Sequence, residues 1–164
     1  PPMTSQPFLP GADLKADFEI LPADLSDMAA ERRLEKACFP REDVWPWVES
    51  LWVLIKPGMV RLKIEYSGEM IGFLSGYQQA QGEVGWISSI GIAPAWQGKG
   101  FGARLLAAGE RALGTPIIRL TVRASNTPAI HLYEHTGYRQ IQTVRKYYVG
   151  GEDGLVFEKL VSAG

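Results

Sequence analysis

The sequence predicts a mixed α/β domain: a mostly antiparallel sheet of six to seven strands with helices on both faces. Three observations carry this. An alternating hairpin meander fills the middle of the chain. Strand, helix and strand patterns follow one another in the second half. A strand followed by helical periodicity opens the ordered part. The 164 residues, 46% of them hydrophobic, suit one globular domain with a sizeable core. Residues 1–15 read as a flexible N-terminal segment and 16–162 as the domain.

Each element has its own signature. Asp17 to Leu21 alternates as a short strand that Pro22 ends. Asp24 can cap a helix running to about Cys38, with Asp27 favourable in its first turn. Phe39 to Asp43 breaks the pattern. A second helix then places Val44, Trp45, Trp47, Val48, Leu51, Trp52 and Ile55 before Pro57-Gly58 stops it. Val60, Leu62, Ile64 and Tyr66 alternate with Arg61, Lys63 and Glu65, which predicts a half-buried antiparallel strand. Ser67-Gly68-Glu69 turns into a strand over Met70 to Tyr77, and polar Gln78 to Gly82 loops out. Val84 to Ile92 is a strand. Phe101 to Leu113 is a helix that Gly114 ends. Ile117 to Val122 is a strand, and Asn126, with Pro128 in the first turn, opens a helix ending at Gly137. Tyr138 to Val149 and Leu155 to Leu160 are the last strands, joined by Gly150 to Gly154.

The net charge of −1 hides an asymmetry. Residues 1–94 carry 8 Lys and Arg against 13 Asp and Glu, whereas residues 95–148 carry 8 against 2. An anionic ligand on the second half and a cationic one near the first fit this split, and so does ordinary solvated surface. No run approaches the ~20 apolar residues that span a bilayer, and no basic-then-apolar segment opens the chain. The lone Cys38 suits a reducing cytoplasm and reads as a packing residue, with no positioned base to make it a nucleophile. No metal, nucleic acid or membrane partner is expected.

The stretch Gln97-Gly98-Lys99-Gly100-Phe101-Gly102 is rich in glycine and opens a helix. A triphosphate loop requires Ser or Thr after the lysine, and Gly100 stands there instead. A dinucleotide fingerprint is met formally by Gly98, Gly100 and Ala103. However, Ala93 to Gln97 separate it from the strand, and Ile117 to Val122 lacks the expected carboxylate. What fits is a pyrophosphate held by backbone N–H groups at a helix N-terminus, with Lys99 and Arg104 at the rim. A glycine-rich turn without a ligand is the plain alternative.

The run Ile90-Gly91-Ile92-Ala93-Pro94-Ala95-Trp96-Gln97-Gly98-Lys99-Gly100-Phe101-Gly102 resembles the acetyl-CoA signature of the GNAT acetyltransferase superfamily. Gln97, Gly100 and Gly102 hold its defining Q/R-x-x-G-x-G/A positions. Val122 to Tyr138 resembles the superfamily's Asn-x-x-Ala-x-x-x-Tyr-x-x-x-Gly-Phe/Tyr segment. Tyr147-Tyr148 and Gly151-Glu152-Asp153 are similar to the branch that acetylates protein N-termini, ribosomal-protein enzymes included. The resemblance covers about Ala16 to Leu160. It implies a GNAT fold and acetyl-CoA as cofactor. Backbone groups of Ile90, Gly91 and Ile92 would hold the pantetheine arm, and Gln97, Gly98, Lys99, Gly100, Phe101, Gly102 and Ala103 would wrap the pyrophosphate. Asn126 would position the cofactor or simply cap its helix. Tyr133 would protonate the leaving thiolate, unless it is a core aromatic.

Acetyl transfer to an amine needs a neutral nucleophile, hence a base or a water chain. The branch's usual base position holds Thr121, and the other common position, around Trp86 to Ser89, holds no carboxylate. Glu83 could act through water or be a solvated turn residue, and His131 reads as packing or surface. Tyr77, Ser88, Ser89, Tyr147 and Tyr148 are the candidates to meet substrate or an ordered water, with Trp45 and Trp47 framing the acceptor. The expectation is an acetyl-CoA-dependent N-acetyltransferase acting on a primary amine, a peptide N-terminus ahead of a small polyamine- or antibiotic-like amine, as a monomer or homodimer. A non-catalytic acyl-CoA sensor is the rival.

Overall fold

A computed structural model describes residues 17–44 and 57–161. The second predicted helix, with Trp45, Trp47 and Trp52, and the N-terminal segment lie outside them. Strand β1 is Phe18–Pro22, β2 Met59–Tyr66, β3 Glu69–Gln79, β4 Val84–Ile92, β5 Ile117–Arg123, β6 Arg139–Val144 and β7 Gly154–Leu160. Helix α1 is Met28–Cys38, α2 Phe101–Leu113 and α3 Thr127–His135. One seven-stranded sheet runs β1-β2-β3-β4-β5-β7-β6. Only the β4–β5 pair is parallel; the other five are antiparallel. That is the mixed sheet the sequence predicts.

The local signals act as expected. Asp24 and Asp27 form a reciprocal capping box at a 3-10 turn that leads into α1. Ser67 and Gly68, both with positive φ, turn β2 into β3. Gly114 ends α2 in the left-handed region. Asn126 caps α3 by accepting from the Ala129 N–H at 3.3 Å.

The core lies between the sheet and α2 with α3. Leu105, Leu106 and Leu113 of α2 meet Ile64, Leu74, Ile118 and Leu120, all at most 2% exposed. Tyr133 of α3 joins the same cluster. α1 covers the opposite face, so helices do flank both sides.

That second face corrects one expectation. Arg61 and Lys63 do not form a solvated side of β2. α1 lies over them, with Arg61 paired to Glu31 and Lys63 donating to Asp27 at 2.8 Å. The Arg61 side chain is 8% exposed. Partners 30 and 36 residues away turn a polar stripe into a packed, ion-paired layer. Burial pushes the Glu31 and Glu35 carboxyls up, and one Glu35 oxygen has no hydrogen-bond partner among the described residues.

Two boundaries also move. Gln78, expected in a loop, belongs to β3, and its amide donates to the Leu113 carbonyl at the end of α2 at 2.6 Å. The predicted strand over Tyr138 to Val149 stops at Val144. Lys146, Gly150 and Gly151 take positive φ, and the chain turns on itself through Tyr148 N–H to Glu152 O at 3.1 Å. A strand ladder cannot run through such a turn.

Candidate active site

The site begins at a bulge in β4. Ser75 of β3 pairs with Ser89 and Gly76 with Ile87, so Ser88 is the extra residue. A bulge bends its strand and raises its twist. β4 accordingly pairs with β5 only along Val84 to Ile87, although β3 follows it to Ile92. From Ser88 onward the β5-facing edge of β4 carries no strand partner among the described residues. Such an edge can take an extended ligand as an added strand. This is the stretch containing Ile90, Gly91 and Ile92.

Past β4 the chain turns sharply. Ala93 N–H donates to Ile71 O at 2.8 Å, Pro94 to Trp96 form a 3-10 turn, and the Gln97 amide reaches back to Ile92 O at 2.9 Å. Gln97 therefore ties the loop to the strand end by its side chain. Gly98 and Gly100 have φ of 74° and 86°, a region costly to other residues. A Cβ at either would meet nothing within 4 Å, so the space above them is open. α2 then starts with Gly100 at its N-cap and no side-chain cap. Its first-turn N–H groups and its dipole face outward, an arrangement that holds anions.

The loop residues divide their labour. Gly98, Lys99 and Gly100 are exposed, with the Lys99 ammonium 5.3 Å from the Trp96 ring centroid. Phe101 is buried in the core, leaving only its backbone for a ligand. Gly102 serves helix packing: a Cβ there would sit 3.0 Å from Leu132 Cδ2 of α3. Ala103 is half-buried in the first turn.

Tyr133 is 6% exposed, packed against Tyr138 and Phe157. Burial, with Tyr148 nearby, pushes its phenol well above the usual tyrosine range, so it is protonated at neutral pH. No described residue hydrogen-bonds its hydroxyl.

The other face of the splay is assembled from distant segments. Ser75, Ser89, Tyr77 and Trp86 lie on the α1 side of β3 and β4, opposite Gly76 and Ile87. The Ser75 and Ser88 hydroxyls are 3.1 Å apart. Thr121 and Arg123 share that side of β5, because Ile118, Leu120 and Val122 fill the core. The β6–β7 loop folds over Thr121. A Cβ on Gly154 would come 3.0 Å from both Thr121 Cγ2 and Tyr147 Cβ, so the glycine leaves room for this close approach and a side chain would press its neighbours aside by a few tenths of an ångström. Tyr147 is 55% exposed and packs edge-on to Tyr148, ring centroids 4.9 Å apart. Burial first, then nearby Tyr147 and Asp43, push Tyr148 up to about 12.

β4 from Ser88 runs into the loop to Ala103, Gly102 of that loop meets Leu132 next to Tyr133, and Tyr133 lies within electrostatic reach of Tyr148, which packs on Tyr147. Tyr77 stands on the same face, two β3 residues beyond Ser75. Glu83 is exposed before Val84, at the end of β4 remote from the splay, and does not join them. His131 is exposed on α3. Sequence reading missed Arg123 as a site residue, together with its partners Asp43 and Glu152. Opposite charges 80 and 29 residues apart leave no local pattern to find.

Known proteins match this architecture. Escherichia coli ribosomal-protein-S18-alanine N-acetyltransferase superposes with a TM-score of 0.78 at 24% identity, over 90% of this chain and 96% of that one. The Arabidopsis thaliana catalytic subunit NAA20 of the N-terminal acetyltransferase B complex is 32% identical over 99 residues, 57% of each chain. The Mycobacterium tuberculosis N-alpha-acetyltransferase RimI is 28% identical over 129 residues, 77% of this chain and 82% of that one. The chain spans 57%, 64% and 63% of the first three relatives it matches. The model of the acetyltransferase (GNAT) family matches residues 25–138, which include the β4 bulge, the glycine loop and α3. The chain belongs to the GNAT acetyltransferase family.

Proposed function

We propose that this protein moves the acetyl group of acetyl-CoA to a primary amine, a peptide or protein N-terminus ahead of a small amine. The observation that carries this is the continuity of the β4 edge, unpaired from Ser88 among the described residues, with a glycine loop that opens α2, beside the buried Tyr133 side chain. In this reading Ile90, Gly91 and Ile92 hold the pantetheine arm by backbone hydrogen bonds. The loop from Gln97 to Ala103 holds the pyrophosphate, and Asn126 fixes the start of α3 next to it. Acetyl-CoA supplies an acyl carbon activated by its thioester. Tyr133 keeps its proton on Oη for the leaving sulfur, since a thiolate of reference pKa ~8.5 gains from an acid. Ser88 and Ser89, with Tyr77, Tyr147 and Tyr148, meet the amine or its water from the α1 side.

The acceptor face favours an amine of low pKa. The carboxylates near Thr121 and Tyr148 on this face are engaged, Asp43 and Glu152 with Arg123 and Glu158 with Arg119, and Glu35 lies back on α1. Thr121 is no base. At pH 7 about a tenth of α-amino groups are neutral, against about one in 2,500 lysine-like amines. A peptide N-terminus therefore presents far more nucleophile without help. Action in a reducing cytoplasm belongs to the same proposal, supported by the unpaired Cys38 thiol.

Thiol release from acetyl-CoA, measured against a peptide library of varied first residue and against polyamines, tests the reading. Peptides are expected to exceed polyamines. Greater release with a polyamine shifts the assignment to a small amine. Binding of acetyl-CoA by calorimetry with no amine-stimulated release makes the protein a sensor.

A further inference from the structure

We infer that Arg123 is a positioning residue for the acceptor, because its one guanidinium joins the two segments that border the acceptor face and seats Tyr148 between them. The inference rests on the acetyl-transfer reading above and concerns how that site selects its amine.

Arg123 ends β5, two residues beyond Thr121 on the same side of the sheet. Its Nε and Nη2 donate to the two oxygens of Asp43, in the short 3-10 turn after α1. Its Nη1 donates to Glu152 of the β6–β7 loop at 2.9 Å. The guanidinium carbon lies 4.6 Å from the Tyr148 ring centroid. The three charged side chains are 13%, 18% and 28% exposed, so the cluster is largely shielded. Glu152 uses its other oxygen to accept from the Ser125 N–H at 2.7 Å, and Asp153 accepts from the Lys146 N–H at 3.0 Å. The loop carrying Tyr147 and Tyr148 is thus pinned to the β5 end and, through Arg123, to the turn after α1.

On this face of the sheet the other ion pairs differ in reach, and the Lys159–Glu110 pair with Tyr138 lies on the α2 side. Arg119 pairs with Glu158, its register neighbour on β7. Arg61 and Lys63 join β2 to α1 and its cap. Arg123 engages three side chains from two separate segments at once, and this requires arginine. The planar fork bonds Asp43 side-on, reaches Glu152 with its remaining arm and stacks its face on Tyr148. A lysine supplies the charge at one point only. Without the cation, Asp43 and Glu152 face each other unneutralised and the loop, with Gly150 and Gly151 in it, loses an anchor. Tyr148 would then shift relative to Tyr133, whose phenol it already influences.

Steady-state kinetics on the full chain with the best wild-type peptide tests this, using Arg123→Met, Arg123→Lys and Glu152→Gln. Arg123→Met is expected to raise the acceptor KM about tenfold while the acetyl-CoA KM stays within about twofold. Arg123→Lys should recover less than half of that loss, and Glu152→Gln, which keeps the Asp43 pair, should fall between wild type and Arg123→Met. A purely structural role would lower the active fraction and hence apparent kcat, leaving both KM values alone; that result, or a wild-type-like Arg123→Lys, overturns the inference. If Arg123→Met does not fold, the other two variants carry the same comparison. If the wild-type chain transfers acetyl to no amine, the functional reading fails separately. Hydrogen exchange then decides the coupling: faster exchange at the Ser125, Lys146 and Tyr148 amides of Glu152→Gln, with Leu105 and Leu120 unchanged, supports it, and unchanged exchange at the loop overturns it.

Discussion

The two sides of the splay are built on different plans. The side proposed to hold acetyl-CoA, the donor side, is one continuous run, from Ser88 through the turn at Pro94 to the first turn of α2. It offers mostly backbone: an open strand edge, two glycines with positive φ and an uncapped helix start. The side proposed to meet the amine, the acceptor side, draws on Asp43, Thr121, Arg123, Tyr147, Tyr148 and Glu152, from three regions of the chain, and offers side chains. Backbone donors suit a ligand that never changes, because they tolerate replacement of the side chains around them. Side chains gathered from separate segments suit a ligand that differs between relatives, since each segment can vary alone.

Tyr133 stands at the junction of the two sides, and its removal has the largest expected effect. Tyr133→Phe should lower kcat about a hundredfold while calorimetric acetyl-CoA affinity stays unchanged. Wild-type turnover in that variant would remove the phenol from the chemistry. The pH profile probes the acceptor side alone. With no described side chain placed as base, kcat/KM should rise about tenfold per pH unit up to the pKa of the amine, ~8 for a peptide and ~10.4 for a lysine-like acceptor. One common inflection below pH 7 for both substrates would show an enzyme base. Tyr148, pushed up to about 12, stays protonated over this range.

The donor side is probed at Gly100. Gly100→Val places a branched residue at φ 86°, at about 1–2 kcal/mol. Acetyl-CoA affinity should fall about tenfold, the equivalent of 1.4 kcal/mol, with the acceptor KM unmoved. An equal loss on both substrates would deny the division of labour. The smallest effect belongs to α1, which lies on the acceptor side. Glu35 has a raised carboxyl and a buried oxygen without a partner among the described residues. A raised folded pKa means that its contribution is most favourable below the unfolded value of 4.5 and is lost as pH rises. Glu35→Gln should therefore raise Tm by about 2 °C at pH 7 and by nothing at pH 4, by calorimetry.

Legibility follows the same division. β4 and α2 have the residue bounds their periodicity predicts, because a strand alternation and a helical stripe are each written in consecutive residues. The cap at Asn126 and the turn at Ser67-Gly68 depend on neighbours within four residues. The shortened β6 was less legible, since glycine marks a turn without saying where the ladder stops. Glu83 stands just before β4, and its distance from the splay depends on where β5 parts from β4.

The sequence by itself determined the order of elements, the glycine loop and the helix it opens, since these rest on interactions within a few residues. Tertiary structure alone decided that Arg61 and Lys63 face α1, that Gly102 serves the contact with Leu132, and that Arg123 gathers Asp43, Glu152 and Tyr148. Those outcomes depend on which distant side chains meet across the sheet, and meeting is set by strand order and register, to which no short stretch of chain has access.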